Sequence, residues 1–286
     1  MSSTVRVCSG IILLYHRVAD VTRDPFGLCV RPTIFRQQME YIKRTCAPLP
    51  LAEFAAALVN NSLPQRAVAI TFDDGYVDNL LTASPILERL NLPATFYVTT
   101  DRLDEPHEFW WDVLVDSVGC DDAAIRLEHE RAMKGSILQR DEHMHRWFHG
   151  RPPVTNETHL RPMTGNEIDL LAARRQHEVG AHTVNHLFLP AQTTKICHAE
   201  LHDCKRVLED RLGRSVPSVA YPFGAVTPAI SKMAGVMGYS IGVTVDARAV
   251  SQDDDLLALP RVPIHGGVRD FSAHIETLFS ASGRRE

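Results

Sequence analysis

With 286 residues, 44% of them hydrophobic and 23% charged, the chain has the profile of an ordinary folded protein, long enough for one large α/β unit or two small ones. Thirty Lys and Arg against thirty-five Asp and Glu give a net charge of −5 with no concentrated basic face, which argues against a nucleic-acid partner. Six cysteines (Cys8, Cys29, Cys46, Cys120, Cys197 and Cys204) include no C-x-x-C pair, so neither a zinc ribbon nor a disulfide scaffold is indicated.

In chain order, Ile11 to Tyr15 reads as a buried first strand ending at His16. The apolar run Gly10–Tyr15 is too short for the core of a signal peptide and passes straight into His16-Arg17. No apolar run is long enough to span a bilayer, and the expected location is the cytoplasm. Thr33 is expected to cap a helix carrying Phe35, Met39 and Ile42 at helical spacing. A second helix covers Leu51 to Val59. Val68 to Phe72 is a strand, Val77 to Leu90 a helix kinked or restarted at Pro85, and Ala94 to Val98 a strand rich in β-branched and aromatic residues. This β-α-β-α-β order predicts a mainly parallel sheet with helices outside it.

Regularity lapses after Phe109-Trp110-Trp111, which opens a short helix over Asp112 to Val118. Residues 119 to about 161 are polar and histidine-rich and predict a helical insertion with few apolar anchors, so that 1–286 forms a single domain. Thr164-Gly-Asn-Glu167 has the form of a capping box before a helix over Ile168 to Gln176. Then follow a strand at Glu178 to Ala181, a helix from Thr193 to Leu212 closed by Gly213, a strand at Ser218 to Ala220, and a helix from Pro228 to Met237. Strands at Ser240 to Val243 and Arg261 to Ile264 and a helix from Phe271 to Phe279 complete the chain.

Asp73-Asp74-Gly75 is the centre of the functional reading. Neighbouring residues on a regular strand point to opposite faces, so adjacent carboxylates make sense at a strand's C-terminal end, where the chain leaves the sheet and both can reach one pocket. Other strands also end on polar or turn-forming groups: His182, Tyr221-Pro222 and His265. His182 and His186 share one face if a helical turn begins at His182, and two histidines with one carboxylate form a metal site with open positions. His145/His149 and His198/His202 have the same spacing but follow no strand end. Trp110-Trp111 offers either a sugar-stacking platform or buried packing.

Thr71-Phe-Asp-Asp-Gly75, His182-Thr-Val-Asn-His186 and Tyr221-Pro-Phe-Gly224, in that order, resemble the first three motifs of the NodB-type polysaccharide deacetylases, carbohydrate esterase family 4. Leu14-Tyr-His-Arg-Val18, Pro93-Ala-Thr-Phe96 and Leu259-Pro-Arg-Val262 extend the resemblance, which covers most of the chain outside roughly 119 to 161. It implies an α/β fold, a distorted (β/α) barrel of the NodB-homology type, and a hydrolase removing N-acetyl groups from a sugar, polysaccharide or glycolipid intermediate. By motif match it assigns Asp74, His182 and His186 to a divalent metal, most often zinc, with cobalt, nickel or manganese as alternatives. It makes Asp73 the general base, and the Tyr221 N–H a stabiliser of the oxyanion. The family's third motif commonly begins with an arginine that orients the base. Ala220 stands there, and Arg261 is the candidate replacement. His265 is the candidate general acid, and His16 is expected near the same mouth. Hydrolysis of another amide, as by a deformylase, and carbohydrate binding without efficient turnover are the alternatives.

Overall fold

The computed structural model describes residues 9–105, 107–118, 121–148, 161–265 and 270–282. Nine strands form one curled sheet: β1 (Ser9–Tyr15), β2 (Ala47–Pro48), β3 (Ala67–Phe72), β4 (Ala94–Val98), β5 (His177–Ala181), β6 (Ser218–Ala220), β7 (Ile241–Val243), β8 (Val250–Ser251) and β9 (Val262–Pro263). The main path runs β8-β1-β3-β4-β5-β6-β7, with β2 also on β3 and β9 on β1. Only the β8–β1 pairing is antiparallel. This is the distorted (β/α) barrel expected from the sequence. A strand buried on both faces reads as a continuous apolar run, and β3 (Ala-Val-Ala-Ile-Thr-Phe) is buried at every position.

The register brings the strand ends level. Tyr15 pairs with Phe72, Phe72 with Phe96, Val98 with Ala181, and Ala220 with Val243. The residues that follow, among them His16, Asp73, His182 and Tyr221, therefore leave the sheet along one rim. Open parallel α/β sheets place ligands on this edge.

Ten α-helices are described. In α1 (Pro32–Thr45), Phe35, Met39 and Ile42 are buried as expected, but the cap lies two residues before Thr33: Arg31 occupies it, with Pro32 in the first turn. The helix α2 (Leu51–Val59) has the expected bounds. Pro85 lies in the first turn of α3 (Ser84–Leu90), where its missing N–H disturbs nothing, and a π-helical turn at Asn79–Ala83 absorbs the change of register.

The segment from Trp110 to Phe148 holds α4 (Trp110–Ser117), α5 (Asp122–Met133) and α6 (Ile137–Phe148). It is better anchored than its polarity suggests: Phe109, Trp110, Trp111, Val113, Leu114, Ala132 and Met144 form an apolar cluster with Tyr76, two residues beyond Asp74. The rest of the expected insertion, 149–160, lies outside the described residues. The Thr164–Glu167 capping box is formed, although α7 (Gly165–Ala172) ends four residues short of Gln176. Thr193 caps α8 (Thr194–Leu212), which closes on left-handed Gly213. Two further helices, α9 (Pro228–Val236) and α10 (Phe271–Ser282), follow.

Candidate active site

Asp73 and Asp74 leave β3 together, and each is only 3% exposed. Asp74 adopts a left-handed φ of 70° and Gly75 one of 82°, so the chain doubles back at once and both side chains stay at the rim. Gly75 is required on space as well as conformation, because a Cβ there would lie 2.8 Å from Val98 Cγ1.

Arg261, fully buried, meets Asp73 through two parallel hydrogen bonds, Nη1 to Oδ1 at 2.7 Å and Nη2 to Oδ2 at 2.6 Å. It is itself held by Nε donating to the Thr244 carbonyl at 2.8 Å and Nη1 to Thr71 Oγ1 at 3.2 Å. The guanidinium expected beside the base thus arrives from the residue preceding β9, while Ala220 supplies only backbone. That backbone has its own use: the Ala220 carbonyl lies 2.8 Å from His182 Nδ1. With Nδ1 donating, Nε2 is the nitrogen that faces Asp74, able to ligate a cation or, when protonated, to donate to that carboxylate.

His182 and His186 come together by a different route from the expected helical turn. Thr183 and His186 have left-handed φ values of 64° and 51°, and this irregular loop places both Nε2 atoms 3.4 Å from Asp74 Oδ1. One ligand atom from each of the three residues lies within 4.8 Å of the others, the only such cluster among the described residues. Two imidazoles and a carboxylate suit a divalent cation such as zinc, and the fixed His182 tautomer and buried carboxylates fit one.

Electrostatics separate the groups. Burial alone would raise both carboxyls, but Arg261 and then His182 pull Asp73 below its ordinary value. At Asp74 the same opposition of burial is overcome by the His182 hydrogen bond and the neighbouring imidazoles. Burial, then His182, pushes His186 down to about 3 and keeps it neutral. His182 is raised, the two aspartates outweighing its burial.

Two sequence expectations need correction. The Tyr221 N–H donates to the Val243 carbonyl at 3.2 Å, and its hydroxyl to the Leu257 carbonyl at 2.9 Å, so this amide is engaged in the sheet and not offered to a ligand. Phe223, left-handed at φ 58°, lines the cavity instead, and its N–H makes no hydrogen bond among the described residues. His265 is exposed, with Nδ1 3.0 Å from the Gly27 carbonyl, and does not line the cavity. His16 does line it, beside Asp73 and Asp74. Of the two readings of Trp110-Trp111, buried packing is the one found: they are 8% and 3% exposed. Trp111 stacks on Phe109 at 4.4 Å and packs against the His186 ring at 4.7 Å, so it braces a site residue and presents no open stacking face.

Two supporting carboxylates were missed in the sequence. Asp78 takes the Arg17 guanidinium at 3.0 Å and the Val18 N–H at 3.0 Å, fixing the chain that carries His16. Glu200, on α8, accepts from the Asn185 N–H at 2.8 Å and Nδ2 at 2.6 Å, pinning the histidine loop. Neither has a diagnostic spacing; each is recognisable only as an acid on an otherwise buried face. Of the remaining histidines, His143 pairs with Glu128, and His149 lies outside the described residues.

A family model described as polysaccharide deacetylase matches residues 60–242, well over half of the chain. The Bacillus subtilis (strain 168) protein YxkH is 24% identical over 274 residues, 93% of this chain and 76% of that protein. A poly-beta-1,6-N-acetyl-D-glucosamine N-deacetylase of Staphylococcus aureus (strain NCTC 8325 / PS 47) is 22% identical over 273 residues, 90% of this chain and 79% of that one. The solved structure of Streptococcus pyogenes deacetylase PplD in complex with acetate superposes with a TM-score of 0.68 at 22% identity, covering 96% of this chain and 99% of that chain.

Proposed function

The chain belongs to the polysaccharide deacetylase family, hydrolases of amide bonds, and from that premise we propose that it removes the N-acetyl group of a sugar, glycan or glycolipid by a metal-dependent reaction with Asp73 as base. The observation that carries this reading is the division of labour between adjacent carboxylates: Asp73 is held by Arg261, and Asp74 faces His182 and His186. A zinc or similar ion held by Asp74, His182 and His186 would supply Lewis acidity, polarising the acetyl carbonyl and acidifying water. Asp73, kept ionised by Arg261, takes the proton from the attacking water. The Phe223 N–H, in the cavity wall, donates to the oxygen that gains charge as the carbonyl becomes tetrahedral. His16, on the same rim and kept neutral by burial, takes up the proton that Asp73 removed from water and passes it to the departing sugar nitrogen. Acetate and a free amino sugar result.

The Staphylococcus aureus relative acts, by its name, on poly-beta-1,6-N-acetyl-D-glucosamine, which supports an N-acetylhexosamine as the sugar. Cys29, Cys46, Cys197 and Cys204 are free thiols, which supports a reducing, cytoplasmic location. The test is acetate release by the zinc-loaded protein from N-acetylglucosamine oligomers and lipid-linked N-acetyl sugars. Release from either supports the reading. Formate release from N-formyl sugars alone would make it a deformylase, and sugar binding without any product would leave only a binding protein.

A further inference from the structure

The cavity above the aspartates is walled on one side by α5, which lies outside the stretches that carry the family resemblance. The helix starts cleanly, with Asp121 Oδ1 accepting from the Ala123 and Ala124 N–H groups. Ile125 and Ala132 are buried on one face, and His129, between them at helical spacing, points into the cavity that also holds Asp73, Asp74, His182 and His186.

The His129 ring is gripped by aromatics. It stacks on Trp110 at 4.8 Å and 22°, and meets Phe26 at 4.7 Å and Phe223 at 5.9 Å. Among the described residues it makes no hydrogen bond or ion pair, although every other titratable group lining the cavity belongs to the reaction described above. Burial holds its pKa down to about 4, so near neutral pH it offers one N–H donor and one bare nitrogen acceptor. An immobilised imidazole with both hydrogen-bonding positions unanswered, set among apolar rings beside the reacting groups, matches a pyranose: apolar C–H faces with hydroxyls around the edge.

Resting on the deacetylase reading, we propose that His129 is a specificity-determining residue that hydrogen-bonds a hydroxyl of the N-acetylated sugar while Phe26 and Phe223 cover the ring's apolar face. The contact is made equally in the ground and transition states, so its loss should raise KM and leave kcat nearly unchanged.

The experiment titrates the N-acetylglucosamine trimer calorimetrically into zinc-loaded Asp73→Asn protein, which binds without turnover, and into the same protein carrying His129→Phe. Phenylalanine keeps the aromatic packing and removes the nitrogens. Binding about three- to tenfold weaker is expected, the loss of one hydrogen bond, with His129→Gln recovering part of it and zinc content unchanged. Equal affinity in the parent and in the His129→Phe protein overturns the assignment, as does a parent that does not bind the trimer. If the wild-type protein releases no acetate but the His129→Phe loss is seen, the reaction is wrong and the sugar contact stands.

Discussion

Arg261 and Asp73, 188 residues apart in sequence, form a two-pronged ion pair at 2.7 and 2.6 Å with no exposure of the arginine. The bidentate geometry fixes the plane of the carboxylate as well as its charge, and a lysine cannot reproduce it. Arg261→Lys should therefore lower kcat by about 10- to 100-fold with little change in KM. Arg261→Ala should in addition destabilise the fold by about 3–5 kcal/mol, because it strands a buried carboxylate. Steady-state kinetics and urea unfolding separate the two effects. Arg261→Lys with wild-type kcat would mean that the arginine only neutralises charge.

The same pair sets a pH dependence of definite sign. Asp73 has a folded pKa below its ordinary value of 3.8, so its contribution to stability is present above that value and is lost as pH falls through the folded pKa. With Arg261→Gln the largest opposition to burial is removed, and we expect the Asp73 pKa to rise above its ordinary value. The acid limb of kcat/KM should move to higher pH, and the variant should lose stability as pH rises through the new pKa, the reverse of the wild-type trend. Rate profiles and urea midpoints at matched pH values read both. An unshifted acid limb would remove Arg261 from control of the base.

The base itself is tested by Asp73→Asn. The neighbouring Asp74, His182 and His186 are untouched, so zinc stoichiometry should stay at the wild-type value while acetate release falls by a factor of about 10² or more. Conversely, chelation should abolish turnover, added zinc should restore it, and the metal-free protein should melt lower. An ion that binds only the folded chain stabilises it by about 2.7 kcal/mol at a hundred times its Kd. Asp74→Ala should lose both the zinc and the stabilisation. Activity that survives chelation would end the metal-dependent reading.

Residues whose role follows from strand position were legible in the sequence; residues whose role depends on what lies across the sheet were less so. Asp73, Asp74 and His182 follow apolar runs directly, and the level register of a parallel sheet brings them together. Arg261 was within reach as a candidate because it also adjoins a strand, but only the curl of the sheet shows that it meets Asp73. The turn after β6 misled: Tyr221 precedes the proline and looks exposed, whereas its N–H still belongs to the pairing with β7 and the first free amide is Phe223. The apolar anchoring of α4 to α6 was hidden because its aromatics are few and lie at one end of a polar segment.

His265 and His16 both follow strands, and the proposed proton donor is His16. His265 is exposed and bonded to Gly27, whereas His16 lines the cavity. His265→Ala should leave acetate release within about twofold, as expected of a surface position. His16→Ala should reduce it by about 10²-fold, the usual scale for a positioned proton donor. The opposite ranking, measured with equal zinc occupancy, would return the acid to His265.

Glu200 tests whether the histidine loop needs external support. Thr183 and His186 are both held at left-handed φ, a conformation that costs a non-glycine residue about 1–2 kcal/mol and persists only when its surroundings enforce it. Arg140 Nη1 donates to the Asn185 carbonyl at 2.7 Å, and the Glu200 carboxylate accepts from the Asn185 N–H and Nδ2. Glu200→Ala frees the loop between the two histidines and should weaken zinc binding by about 10- to 100-fold. Because no reacting group is removed, kcat should return towards wild type at saturating zinc, which distinguishes loop support from participation in the reaction. Glu200→Gln, which can still accept from the backbone N–H, should lie between. Competition against a chromogenic zinc chelator measures the affinities, and an unchanged value for Glu200→Ala would show that the loop holds its shape alone.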